Sequence, residues 1–282
     1  MIPHPASPVT RPAWRAGRWE EGARQIAEET AVALTYNRAT HAVMMATPAD
    51  LEDFAVGFSL AEGVVERADE IEEVEIVAAG SGDGVEARMW IAPGRVEALG
   101  ARRRAMAGPS GCGLCGLDSV AQALRPPPRV ACALRVTPGE IEAAVSALAP
   151  AQPLGRATRA VHAAGFWQPG RGLVAIREDV GRHNALDKLT GALARAGESA
   201  AAGVVVMTSR VSVELVQKAA RMGAGVLVAV SAPTGLALRA AEAAGITLAA
   251  VAREDGFELF THPERIGEIE GEPKGERRDD AA

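Results

Sequence analysis

The sequence predicts an α/β fold, and three observations carry that prediction. From residue 173 onward, short apolar segments alternate with capped helical ones, the pattern of a parallel sheet covered on both faces. The 282 residues are 48 % hydrophobic and 23 % charged, ordinary for a globular chain with a well-buried core. No apolar run approaches the roughly 18 residues that span a bilayer, and the longest, 223–230, is strand-sized. Acids outnumber bases, 36 to 30, for a net charge of −6. That balance excludes a general nucleic-acid binder. Neither nucleic acid nor membrane is therefore an expected partner.

Taken in order, residues 1–24 read as a disordered lead-in without an apolar signal segment. Strands are expected at 32–36 and 42–45. Thr47-Pro48-Ala49-Asp50 reads as a helix start, with Thr47 as cap and Pro48 at the first helical position. That helix runs through Leu51, Phe54, Ala55 and Phe58 and stops at Gly63. Residues 72–79 and 85–91 alternate like strands around a flexible loop at 80–84. An arginine run, Arg102-Arg103-Arg104, precedes the glycine-rich stretch 108–116, expected to be exposed and mobile. A short helix is expected at 117–124, and one at 138–148 capped by Thr137.

The last third repeats one unit. Strands are expected at 173–176, 204–207, 226–230 and 247–251, with helices from Ala185, over 212–222 and up to Gly245. The division that follows is a lead-in at 1–24, an N-terminal α+β portion at 25–130, an α/β core at 131–266 and a disordered tail at 267–282.

Ligands of open α/β sheets bind beyond the carboxyl ends of strands. Those ends carry the segment 177–184, then Thr208-Ser209-Arg210, then Ser231-Ala232-Pro233-Thr234, then Arg253. Arginines, hydroxyls and helix N-termini converging there suit an anion such as a phosphate or nucleotide. Arg177, Arg182, His183 and Arg210 are the ligand-side candidates.

Cysteine occurs three times, at 112, 115 and 132, too sparsely for a disulfide framework, which favours the cytoplasm. Cys112-Gly113-Leu114-Cys115 offers two thiols before an expected helix, whose N-terminus lowers a thiol pKa. Flanking glycines suit a carrier that meets a donor and then an acceptor. A thioredoxin-like pair would sit in a small βαβ domain, and a zinc site would need four ligands. A zinc deaminase pairs His-x-Glu with Pro-Cys-x-x-Cys, but His162-Ala163-Ala164 lacks the Glu. No metal is expected, and Cys132 reads as a buried structural thiol.

Several segments resemble the formate dehydrogenase accessory sulfurtransferase family, FdhD. They are 112–116, 177–188, 209–218, 231–234 and 257–265, with 41–48 and 50–54 near the N-terminus. The resemblance covers about 28–266. It implies a cytidine-deaminase-like three-layer core and a cytoplasmic homodimer. It implies transfer of sulfur from a cysteine desulfurase to the molybdenum bis(molybdopterin guanine dinucleotide) cofactor of formate dehydrogenase. By the same resemblance Cys112 carries the persulfide, and Cys115 assists or is dispensable. Phe257, Glu258, Leu259, Phe260, Thr261 and His262 contribute to cofactor binding. Two departures stand out. Ala31 replaces an expected Pro, and Thr158-Arg159-Ala160-Val161-His162 replaces an expected Thr-Gly-Gly-x-His, removing two conformationally free glycines. The competing readings are a cofactor-binding chaperone without sulfur chemistry and a zinc-dependent deaminase.

Overall fold

The computed structural model describes residues 1–80, 84–95, 126–253 and 255–267. The Cys112–Cys115 motif, the helix expected at 117–124 and the tail from 268 lie outside the described residues.

The chain opens with a hairpin of β1 (Ala6–Arg15) and β2 (Arg18–Ala27). This corrects the expected loose lead-in. Pro8 and Pro12 look like breakers, but β1 has one neighbour only, where a missing N–H is tolerated. Ala16 and Gly17 both take positive φ, 46° and 80°, as a tight two-residue hairpin turn requires.

A four-stranded sheet follows, from β3 (Thr30–Tyr36), β4 (Ala39–Ala46), β5 (Ile71–Ala78) and β6 (Val85–Ile91). Its order is β4-β3-β6-β5, with β3 and β6 parallel and the other neighbours antiparallel. Alternating Val32, Leu34 and Tyr36 of β3 and Val85, Ala87, Met89 and Ile91 of β6 form its core with Phe54 and Phe58 of α1 (Leu51–Ala61).

The helix start differs from expectation. Asp50, at φ 52°, is the N-cap of α1, and Thr47 is not. Thr47 is fully buried and faces the C-terminal part of the chain: its N–H donates to Asp179 Oδ2 at 2.9 Å, and its hydroxyl accepts from Val180 N at 3.1 Å.

The C-terminal part holds α2 (Pro138–Leu148), α3 (Pro153–Thr158), β7 (His162–Gln168), β8 (Gly172–Asp179), α4 (Arg182–Ala196) and β9 (Val204–Met207). It continues with α5 (Val213–Arg221), β10 (Val226–Ala229), α6 (Gly235–Ala244), β11 (Thr247–Arg253) and β12 (Gly256–Thr261). Six strands form one sheet in the order β12-β11-β10-β9-β7-β8. The expected parallel pairing holds for β9, β10 and β11, whereas β7 is antiparallel to β8 and β9, and β12 to β11. β7 was not anticipated, because its small residues around Gly165 do not read as a strand. Gly165 gives room there: a Cβ would stand 2.6 Å from the end of the Leu148 side chain of α2, which would have to shift.

The sheet is the middle of three layers. Val205, Met207, Leu227, Ala229, Leu248 and Ala250 pack with α4, α5 and α6, and Val204, Val206, Val226, Val228 and Ala249 with α2. Thr137 caps α2 as expected, in a reciprocal box with Glu140.

The two sheets are joined through helices. α1 crosses α4 at glycines on both sides. A Cβ on Gly57 would lie 1.7 Å from Asp187 O, and one on Gly191 would lie 1.9 Å from Asp53 O. Around this crossing runs a buried polar network. Lys188 Nζ meets Asp179 at 2.7 Å and donates to Thr47 O at 2.9 Å. Asn184 donates to Met45 O and to Asp179 Oδ1. Lys218 of α5 bridges Asp187 and Glu62, at 2.9 and 3.1 Å. Burial pushes the Asp187 carboxyl up to about 6, against the pull of Lys218. Against the cost of burial, Asp187 and Glu62 hold Lys218 charged, above its usual range.

Candidate functional site

The carboxyl ends of β8, β9, β10 and β11 share one edge of the six-stranded sheet, where antiparallel β7 begins, with His162 opposite Asp179. The chain leaves this edge into α4, α5 and α6, so three helix N-termini gather there. Gly181 is the N-cap of α4, which places Arg182 and His183 in its first turn rather than in a loop.

Positive groups accumulate at this edge. Burial holds the His162 imidazole below its ordinary pKa, and Arg182, His183 and Arg210 repel its proton further. Arg182 and Arg210 form no ion pair with any described residue, and the buried Arg182 Nε has no hydrogen-bond partner among them. His183 is the exception, since its Nε2 lies 2.7 Å from Glu214 Oε2. Val251, at the end of β11, has φ 54°, an uncommon conformation for a β-branched residue, and its N–H reaches Ser231 O.

Arg177 does not belong to this cluster. Its guanidinium donates to Asp53 Oδ2 at 2.8 Å and to Ile176 O at 2.7 Å, tying β8 to α1. Its charge is already matched within the fold. Asp179, Asn184, Asp187 and Lys188 likewise turn toward the helix crossing, so the segment 177–188 serves the fold and the edge together.

The segment 257–262 is divided. β12 starts beside the edge but runs antiparallel to β11, so Thr261 and His262 lie about 13–17 Å further down the strand, at the opposite end of the sheet. There the Thr261 hydroxyl donates to Ile246 O at 2.7 Å and accepts from Leu248 N at 3.1 Å. His262 Nε2 lies 2.9 Å from Glu242 O, in the last turn of α6, and its Nδ1 lies 3.0 Å from Glu264. The Glu242 carbonyl, then Glu264, raises its pKa against the effect of desolvation. Phe257 and Leu259 pack on the α2 side of the sheet, Phe260 on the other, and Glu258 pairs with Ala250. The structure thus brings His162, Arg182, His183 and Arg210 together and leaves Thr261 and His262 apart from them.

Sequence reasoning passed over Glu214, which reads as an ordinary acid in a first helical turn. It also passed over the buried lysines. Only three lysines occur among 30 basic residues, and of the described ones Lys188 is fully buried and Lys218 largely so, both in ion pairs.

A three-layer core whose strand ends gather helix N-termini and arginines without an ion pair among the described residues defines an α/β protein equipped for an anionic ligand. The chain belongs to the FdhD/NarQ family, whose sequence model matches residues 27–267. It is 54 % identical to the sulfur carrier protein FdhD of Agrobacterium fabrum over 92 % of this chain and 95 % of that one. With the protein of the same name from Cupriavidus necator, identity is 47 % over 93 % of this chain and 92 % of that one. The fold is similar to the crystal structure of a formate dehydrogenase accessory protein from Desulfotalea psychrophila. The TM-score is 0.71 at 27 % identity, covering 93 % of this chain and 99 % of the other.

Proposed function

We propose that this chain is a sulfur carrier in formate dehydrogenase maturation. In this reading a cysteine desulfurase is the donor and the molybdenum bis(guanine dinucleotide) cofactor is the acceptor substrate. The similarity to proteins named sulfur carrier protein FdhD supports the carrier role. The observation that carries the acceptor side is the strand edge, where Arg182 and Arg210 lack counter-ions among the described residues beside three helix N-termini. A dinucleotide with several phosphates is a polyanion that such an edge suits. Arg182, His183, Arg210 and His162 hold it in this reading, and Arg177 stays with the fold. No helix among the described residues is long and apolar enough to cross a membrane, which is compatible with a cytoplasmic carrier. The homodimer is part of the same proposal.

The sulfur step needs no outside oxidant. The Cys112 thiolate attacks the outer sulfur of the donor persulfide, one S–S bond forms as another breaks, and the donor cysteine leaves as thiolate. In this reading Cys115, three residues further on, assists. Mass spectrometry after incubation with a cysteine desulfurase and cysteine tests this. One added sulfur on Cys112, absent from Cys112→Ala, is expected. Full activation of formate dehydrogenase by Cys112→Ala would instead leave a chaperone that only binds the cofactor.

A further inference from the structure

Glu214 has a second use at the strand edge. It sits in the first turn of α5, and it and His183 are both largely buried, 12 % and 16 % exposed, with 2.7 Å between Oε2 and Nε2. Ser212 Oγ stands 3.4 Å from the same ring nitrogen. The α5 side therefore occupies Nε2, and Nδ1 has no hydrogen-bond partner among the described residues. Glu214 Oε1 and Arg182 Nε are buried without a hydrogen-bond partner among those residues. Buried polar atoms in native proteins are nearly always paired, so unpaired ones at a ligand edge call for a reason.

We propose that Glu214 is a positioning residue, which fixes the His183 ring through Nε2–H and leaves Nδ1 as the nitrogen offered to an anion beside Arg182 and Arg210. The inference rests on the strand-edge reading above. Arg182, His183 and Arg210 act together on His162, so His183 belongs to a positive cluster; Asp187, on which His183 also acts, is bound to Lys218, and Glu214 is the carboxylate in contact with the ring. Glu214 supplies both the opposite charge and the direction. When Nδ1 is protonated, Glu214 balances the ring's charge and Nδ1–H can donate to a phosphate oxygen. A carboxylate in a first helical turn also complements the helix dipole, but that effect does not pass through His183. The two roles separate in a double-mutant cycle.

The test uses the full-length protein and guanosine diphosphate, titrated by calorimetry. Glu214→Ala and His183→Ala should each weaken binding about tenfold, the scale of one charge-assisted hydrogen bond. The double variant should bind no worse than either single one, and Glu214→Gln, whose amide oxygen can still accept from Nε2–H, should recover most of the loss. Additive losses overturn the proposal, as does wild-type affinity in Glu214→Ala. Imidazole 15N spectra give a reading that needs no ligand. The neutral His183 ring should be the Nε2–H tautomer in the wild type and lose that preference in Glu214→Ala. An unchanged tautomer overturns the proposal. If the wild type does not bind the nucleotide while the tautomer changes as expected, the polyanion reading of the edge fails and the hold of Glu214 on His183 stands.

Discussion

The helix crossing and the strand edge are built from the same stretch of chain, 177–188, and treat charge in opposite ways. At the crossing, Arg177, Asp179, Asp187 and Lys188 each meet a partner within about 3 Å, and the surrounding backbone completes their hydrogen bonds. At the edge, Arg182 and Arg210 meet no carboxylate among the described residues. A charge with all its bonds made inside the protein stabilises the fold, and one without them is available to a ligand. Residue type does not separate the two roles, since Arg177 and Arg182 lie five positions apart.

Four experiments can break or sharpen this contrast. The largest effect is expected at the crossing itself. Gly191→Ala puts a Cβ 1.9 Å from the Asp53 carbonyl oxygen, where backbone meets backbone and neither side can yield. Loss of more than about 3 kcal/mol in urea unfolding, or of soluble expression, is expected. Lys188→Met comes next. It leaves Asp179 buried and uncompensated, at a cost of about 3–5 kcal/mol read by the same assay. A melting temperature equal to wild type would show that the network is dispensable. Arg182→Met should behave in the reverse manner. Its stability should stay within about 0.5 kcal/mol of wild type, while guanosine diphosphate binding falls about tenfold, the cost of one charge-assisted bond. A destabilised Arg182→Met would place this residue with the crossing instead.

The smallest effect belongs to His262. Its raised pKa means the folded state holds the proton more tightly than the unfolded chain does. The stabilisation is then full below the ordinary value of 6.5 and is lost as pH rises through the folded value. For a histidine at a helix C-terminus it amounts to about 0.5 kcal/mol. His262→Gln should flatten the stability curve above pH 6.5 and leave nucleotide binding unchanged. A binding loss there would reconnect the far end of β12 with the edge.

Much of the C-terminal fold is legible in the sequence because its strands are short, fully apolar and bracketed by caps. Thr137 starts its helix and Gly245 ends its own as expected. β7 escapes because Ala163-Ala164-Gly165 in its first half carries no alternation, and its glycine answers to Leu148 of the preceding helix α2. The hairpin of β1 and β2 escapes because prolines and charges hide a pairing that backbone hydrogen bonds make alone. Thr47 shows how a local signal can mislead. Its neighbours, Pro48 and Asp50, look like a helix start, yet its side chain answers to Val180, 133 residues later. The edge was legible as a convergence of loops, and so were His183, Arg182 and Arg210. That Arg177 turns inward, that Glu214 grips His183, and that β12 carries Thr261 away are facts of strand direction, which no single segment records.

The crossing of α1 and α4 also has a consequence in time. α1 ends at Ala61 and its partner helix is complete only at Ala196. During synthesis at 5–20 residues per second, α1 waits roughly 7–27 s for the surface it needs. Throughout that interval Gly57 and the buried side of Asp53 have no glycine-lined neighbour to receive them. The N-terminal half is made first but completed only when α4 emerges, so its apolar helix face stays exposed to aggregation until then.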